Sequence, residues 1–163
     1  MSDLTQAELA TNAETWKHIN QVQWHLGAVI HHLHMRSVVH DQSKLAPPEV
    51  SIFTEYTPKL KHSTYGSDEY KGFLQAMKPA LDHHYAENSH HPEHRSNGID
   101  GMTLLDLIEM LADWKAATMR HTDGDMGKSL AINRERFGIS DQLASILENT
   151  VKEMGWGRKG VDE

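Results

Sequence analysis

Leu104–Arg120 reads LLDLIEMLADWKAATMR. Leu104, Leu107, Ile108, Leu111 and Trp114 recur at three- and four-residue spacing, the period of a helix with one apolar face. Thr103 stands where an N-cap belongs, and Asp106 three residues later makes a capping-box variant. The opposite side carries Asp106, Glu109, Asp113 and Arg120, which read most simply as a solvated face. Ala116 and Ala117, one turn past Asp113, would still let a second helix approach closely.

The same period runs outward through the chain. Residues 14–39 predict a long helix with Ile19, Val22, Leu26, Val29, Ile30 and Leu33 on one face. After Pro47-Pro48, residues 48–56 predict a short helix with Glu49 in its first turn, and 58–65 a connection. Residues 67–87 are helical with a kink at Pro79, and 88–101 form a polar loop holding Pro92, Gly98 and Gly101. Another loop covers 121–127, HTDGDMG. Residues 127–137 and 140–154 predict two closing helices parted at Gly138. Ala, Leu, Met, Glu, Lys and Gln dominate the periodic stretches and β-branched residues are scattered. The expectation is an all-α, single-domain bundle of six or seven helices over 14–154, with a flexible segment at 1–13 and a loose tail at 155–163.

Composition narrows the chemistry. At 163 residues and 38% hydrophobic, the chain has apolar mass for one core. A net charge of −7 argues against generic nucleic-acid binding, which needs a basic surface. It leaves open a small phosphorylated substrate, because a bound cation adds local positive charge. The lack of cysteine removes disulfides, thiolate zinc sites and thiol nucleophiles. No apolar run reaches membrane-spanning length, and the polar, acidic start MSDLTQAELATNAETW does not read as a signal peptide, so a cytoplasmic setting is expected.

Histidine is the outlier, with thirteen residues, most of them in two bursts. His18, His25, His31, His32, His34 and His40 lie on or just after the first long helix; His83, His84, His90, His91 and His94 crowd HHYAENSHHPEH. Imidazole is the commonest protein metal ligand. In HDQSK, His40 and Asp41 cannot point the same way within a regular helix, but at a helix end they can converge on one ion or bridge two. Lys44, one turn on, can hold a phosphate oxygen as a point charge. His25 and His32 recur at +7 and +14 from His18 and read as surface or rim residues; His31 and His34 read as solvated, and Glu93 as an exposed loop carboxylate. Met102, Met110, Met119 and Trp114 read as core. Arg120, Lys128, Arg134 and Arg136 either grip phosphate or form solvated faces.

The order of a helical His18, then His40-Asp41, then a distant helical Asp113 resembles the metal-dependent phosphohydrolase superfamily named for its His-Asp doublet, the HD domain. HDQSKL looks like the His-Asp-x-x-Lys form of that motif. HHYAENSHHPEH, a glycine-bearing loop and LIEMLADWKAA are similar to the two-metal branches and to a small HD-like family met in phage and bacterial genomes; the likeness covers residues 15–137. It implies an all-helical bundle in which His18, His40, Asp41 and Asp113 hold one ion. A second ion would share Asp41 and recruit from His83 or His84 and His90 or His91, with His62 as an alternative earlier ligand. It implies one or two divalent transition ions (Mn, Fe, Co, Ni or Zn), Asp41 and Lys44 as catalytic, and Lys44, His94 and Arg120 near a small phosphorylated substrate, a nucleotide by analogy. The Gly-Tyr-Pro segment of cyclic-dinucleotide phosphodiesterases is absent. The same ligand set would serve an oxygen-activating di-iron centre, or a non-enzymatic metal clamp in an interaction protein. The amphipathic closing helices permit a homodimer without requiring one.

Overall fold

The computed structural model describes residues 4–63, 67–120 and 124–157. Among these the protein is all-helical, as its periodicity predicts, with seven α-helices and no strand. The helices are α1 (Gln6–Val39), α2 (Glu49–His62), α3 (Asp68–Ala76), α4 (Lys78–Glu87), α5 (Leu104–Thr118), α6 (Met126–Phe137) and α7 (Asp141–Glu153), with short 3₁₀ turns at Gln42–Leu45, Pro92–His94 and Gly98–Gly101. The chain divides into two compact units, 1–39 and 40–163.

The first unit is α1 alone, and none of its residues is buried. It starts at Gln6, eight residues before the predicted start at 14. Thr5 and Glu8 supply the reason: the Thr5 backbone N–H and hydroxyl donate to Glu8 Oε2 at 2.7 and 2.8 Å, and Glu8 N–H donates back to Thr5 Oγ1 at 3.3 Å. This reciprocal cap satisfies donors a bare helix end leaves open. Residues 6–13 of the segment expected to be flexible are part of this helix.

The second unit packs around Met110, Leu111 and Trp114 of α5, Met126 and Leu130 of α6, and Ala144, Leu147 and Val151 of α7. Trp114 stacks on Phe137 with ring centroids 6.1 Å apart. Asp125 and Ser140 cap α6 and α7, and Gly138, at φ 62°, ends α6 in the left-handed region that a residue without Cβ reaches freely. Trp156 packs against the same core and its carbonyl accepts from Lys115, so this part of the expected loose tail is docked. Two other expectations change. α2 runs through Pro58 to His62, because Phe53, Tyr56 and Leu60 continue one half-buried face that outweighs the lost backbone bond. The 67–87 stretch is two helices parted at Met77, with Pro79 in the first turn of α4, where its missing N–H costs nothing. Residues 121–123 of the predicted loop and 158–163 of the tail lie outside the described residues.

Candidate metal centre

The site is built where two chain reversals meet helix α5. Immediately after α1 the backbone turns at Asp41, which adopts φ 57°, a left-handed conformation uncommon outside glycine but tolerated by Asp. That turn lets neighbouring His40 and Asp41 present their side chains to one place. At the other reversal α4 ends at Asn88, which donates to the His84 carbonyl at 2.8 Å and to Ser43 Oγ at 2.8 Å. The chain then doubles back and sets His90 and His91 beside His84. α5 supplies the third wall.

Asp106 fastens that loop to α5. Its Oδ2 accepts from Thr103 N–H at 2.9 Å, Thr103 Oγ1 at 2.8 Å and Arg95 at 3.2 Å, while Oδ1 accepts from Ser89 Oγ at 2.8 Å. The predicted capping box is therefore present, and its acid also braces the histidine loop. The acidic side of α5 is not solvated as the plain reading had it. Asp106 is 1% exposed, and the side chains of Glu109 and Asp113 are 13% and 21% exposed.

Four donors converge within ion-sized space: Asp41, His84, His90 and His91. His84 Nε2 lies 2.9 Å from His91 Nε2 and 3.3 Å from Asp41 Oδ1, and His90 Nε2 lies 3.5 Å from Asp41 Oδ1. Ligands at ~2.0–2.1 Å around a tetrahedral ion stand roughly 3.3 Å apart, so these edges match a coordination shell. Asp41 Oδ1 and His90 Nε2 are buried yet make no hydrogen bond. Such orphans are rare and costly, and an unplaced ion is one of their ordinary explanations. Two further groups adjoin: His40, Asp41 and Asp113, and His40, His90 and Glu109. His40 Nε2 stands 3.6 Å from Asp41 Oδ2 and 3.8 Å from Asp113 Oδ1. These buried groups can hold a metal ion.

Behind the rings stand two carboxylates. Glu109 Oε1 accepts from His40 Nδ1 at 2.8 Å and lies 3.2 Å from His90 Nδ1. Glu49, 0% exposed, accepts from His84 Nδ1 at 2.9 Å and His83 Nδ1 at 2.7 Å. On a neutral ring such a bond fixes the tautomer and leaves Nε2 with its lone pair, the arrangement common behind metal-bound imidazole.

The electrostatics follow from this crowding. The carboxylates of Asp113 and Glu109 raise His40 to about 10, against the desolvation that would lower it. Burial, reinforced by His90 and His84, lowers His91 to about 3. Burial works to raise Asp41, but His84 and Lys44 outweigh it and hold the carboxyl well below its ordinary range. Asp113 is also lowered: burial opposes, and the His40 contact prevails.

Of the residues expected in the site, His40, Asp41, His84, His90, His91 and Asp113 are brought together. Lys44 joins them through Asp41 Oδ2 at 2.6 Å. His83 is turned onto Glu49, outside the ion-sized groups. His94 donates Nδ1–H to the Tyr85 carbonyl at 2.9 Å, so it ties loop to α4. His18 is exposed on α1, His62 is exposed at the end of α2, and Arg120 is exposed after α5; no ion-sized group among the described residues includes any of them. Glu93 is exposed, as read, and pairs with Arg136 at 2.7 Å, and Arg134 pairs with Asp141. Glu49 and Glu109 were missed as functional. Their signal was position: Glu109 is one turn before Asp113 on the same face, and Glu49 opens a helix just after the doublet.

Fold and site together define an all-helical protein with a buried histidine–carboxylate cluster fit for a metal ion. The chain belongs to a family of unknown function (DUF5662), whose model matches residues 7–153. No curated protein and no solved structure matches the chain. No helix among the described residues is long and apolar enough to cross a membrane.

Proposed function

We propose that the protein is a metal-dependent phosphohydrolase of the His-Asp type, acting on a small phosphorylated substrate such as a nucleotide. One observation carries the reading: Asp41 Oδ1 and His90 Nε2 are buried without a hydrogen-bond partner, within ion-sized range of His84 and His91. An unmatched buried oxygen and ring nitrogen destabilise the empty protein, and a cation between them removes that cost. Asp41, His84, His90 and His91 would hold one divalent ion, and His40 and Asp113, sharing Asp41, a second. The donors are all nitrogen and oxygen, which suits Mn, Fe, Co, Ni or Zn. When bound, such an ion supplies Lewis acidity and a water with pKa lowered toward ~7.

The chain's own residues account for the remainder. Glu49 and Glu109 hold the rings in the tautomer that ligation needs. Lys44 is a third exposed, spans from Asp41 toward solvent and lies 5.6 Å from the Phe53 ring centroid. With Asp41 committed to a cation, the Lys44 ammonium is released to neutralise a phosphoryl oxygen.

Asp41 belongs to both proposed ion positions, and a carboxylate-bridged pair also suits an oxygen-activating di-iron centre. The test separates the readings. Untagged protein is reloaded with each ion and offered nucleoside mono- and triphosphates. Phosphate release that disappears in Asp41→Ala supports the proposal; wild-type turnover in that variant ends it. Oxygen uptake with a mixed-valent iron signal and no phosphate release transfers the site to the second reading. Unfolding on chelation with neither activity leaves only the metal clamp.

A further inference from the structure

Asp41 turns its two carboxylate oxygens to unlike surroundings. Oδ1 faces the buried rings, 3.3 Å from His84 Nε2 and 3.5 Å from His90 Nε2, and makes no hydrogen bond. Oδ2 faces the open side of the site. Lys44 Nζ donates to it at 2.6 Å, and His40 Nε2 lies 3.6 Å away. The Lys44 side chain is a third exposed, whereas the rings of His84 and His90 are buried. The two proposed ion positions therefore differ in kind. The inner one, with His84, His90 and His91, offers an oxygen and a ring nitrogen without partners. The outer one, with His40 and Asp113, shares a carboxylate on which the chain has already set a cation of its own. An ammonium on Oδ2 competes for the same lone pairs as a divalent ion and repels it at close range.

We infer that Lys44 makes the outer ion position conditional on an anion. A phosphoryl group that draws the ammonium off Asp41 Oδ2 frees that oxygen for a second divalent ion, and the ion in turn frees Lys44 for the anion. This coupling presupposes the two-ion hydrolase reading above and adds an order of loading to it. The inner ion binds first and without an anion, since no side chain of the protein donates to Oδ1. The outer ion and the phosphoryl group then bind together. Linkage makes the effect reciprocal: the factor by which the anion tightens the ion is the factor by which the ion tightens the anion. The exchange needs no backbone movement. Lys44 N–H donates to the Asp41 carbonyl at 3.0 Å and fixes the turn, while the four-carbon stem carries the ammonium through a few ångströms on its own. A site built this way gathers its full positive charge only around a phosphorylated ligand, and does not crowd two ions and an ammonium onto one carboxylate without it.

The probes are Mn²⁺ and inorganic phosphate, and the readout is bound metal, not turnover. The full untagged chain is dialysed to equilibrium against graded Mn²⁺, with and without phosphate, and bound metal is counted by elemental analysis. The expected result is one equivalent indifferent to phosphate and a second that phosphate tightens about 5- to 150-fold, the usual span of coupling between two sites. Direct contact between ion and phosphate would also give a gain, and Lys44→Met separates the two causes. Without phosphate its second equivalent should bind more tightly than that of the wild type, and phosphate should add less. Lys44→Arg, which keeps a cation beside Asp41, should follow the wild type. Lys44 is partly exposed on a short 3₁₀ turn, so helix content should be the same in all three proteins. A second equivalent no tighter in Lys44→Met than in the wild type, or one that gains as much from phosphate there, would overturn the inference. So would a single equivalent under every condition, or two that ignore phosphate. In each of those cases phosphate release that depends on Asp41 still upholds the hydrolase reading, whereas a protein that binds no ion at all ends both.

Discussion

Five histidines lie on α1 and five lie between positions 83 and 94, and their surroundings have almost nothing in common. His18, His25, His31, His32 and His34 are all exposed. In the second group His84 and His90 are 2% and 1% exposed, and His91 and His94 are half-buried. The density of imidazole is similar; the backing is not. Behind His84 stands Glu49, behind His90 stands Glu109, and the loop that carries His90 and His91 is held to α5 by Asp106. A ring becomes a fixed ligand when an acid on a different element takes its other nitrogen. Histidine count alone therefore says little, and the acids behind the rings say much.

The largest effect that can break this contrast is loss of the ion. His90→Ala or Asp41→Ala removes one of the two orphaned atoms, and metal content after gel filtration should fall below detection. His25→Ala, in the exposed set, should leave the content unchanged. Elemental analysis of untagged protein reads both; equal losses from the two regions would remove the basis of the comparison.

Next come the backing carboxylates. Glu109→Gln weakens the hold on His40 and His90, and Glu49→Gln on His84. Each should reduce metal affinity about 10- to 100-fold, as loss of an outer-shell partner commonly does. Glu109 serves two rings of the shell and should cost more. Competition titration against a chromophoric chelator gives the ratio, and wild-type affinity in both variants would mean the rings are held by packing alone.

Legibility in the sequence divides along the same line. Helical periodicity gives α5, α6 and α7 almost to the residue and the C-terminal end of α1, and the Thr103–Asp106 cap and Gly138 stop are visible because capping is local chemistry. His40, Asp41, His84, His90, His91 and Asp113 are legible as candidates, since ligand types cluster near one another in the chain. Glu49 and Glu109 are not, because pairing them with His84 and His90 depends on how α2, α4 and α5 pack. α5 shows the difficulty most plainly. Asp106, Glu109 and Asp113 look like a solvated face until the histidine loop is laid over them. The exposure of α1 was equally hidden, because an apolar stripe announces that it wants a partner without saying which.

Acidity sharpens the contrast further. Metal-free protein carries two histidines displaced in opposite directions from the ordinary 6.5. His91, lowered to about 3, is neutral when folded. Between pH 3 and 6.5 the unfolded chain binds more protons there, so stability rises with pH. His40, raised to about 10, stays protonated when folded, so its contribution is complete below 6.5 and is lost as pH climbs to 10. The lowered carboxyls of Asp41, Asp113 and Glu49 add to the loss on the acid side. Urea midpoints in chelator should peak near pH 6.5, and His40→Gln should flatten the alkaline limb. A profile still falling steeply above pH 6.5 in His40→Gln would assign that limb to another group.

The smallest effect compares two caps of the same design. Thr5 and Glu8 close α1 in the open, and Thr103 and Asp106 close α5 against the histidine loop. Removing a capping hydroxyl costs about 0.5–2 kcal/mol. Thr5→Ala should fall at the low end, near 0.5 kcal/mol, because water replaces the lost bonds. Thr103→Ala should approach 2 kcal/mol, because Thr103 Oγ1 also feeds the buried Oδ2 of Asp106 that Arg95 shares. The Thr103 variant should in addition weaken metal affinity slightly, since Asp106 also holds Ser89, next to His90. Equal costs for the two caps, with metal affinity untouched, would mean that Asp106 ends a helix and does not brace the site.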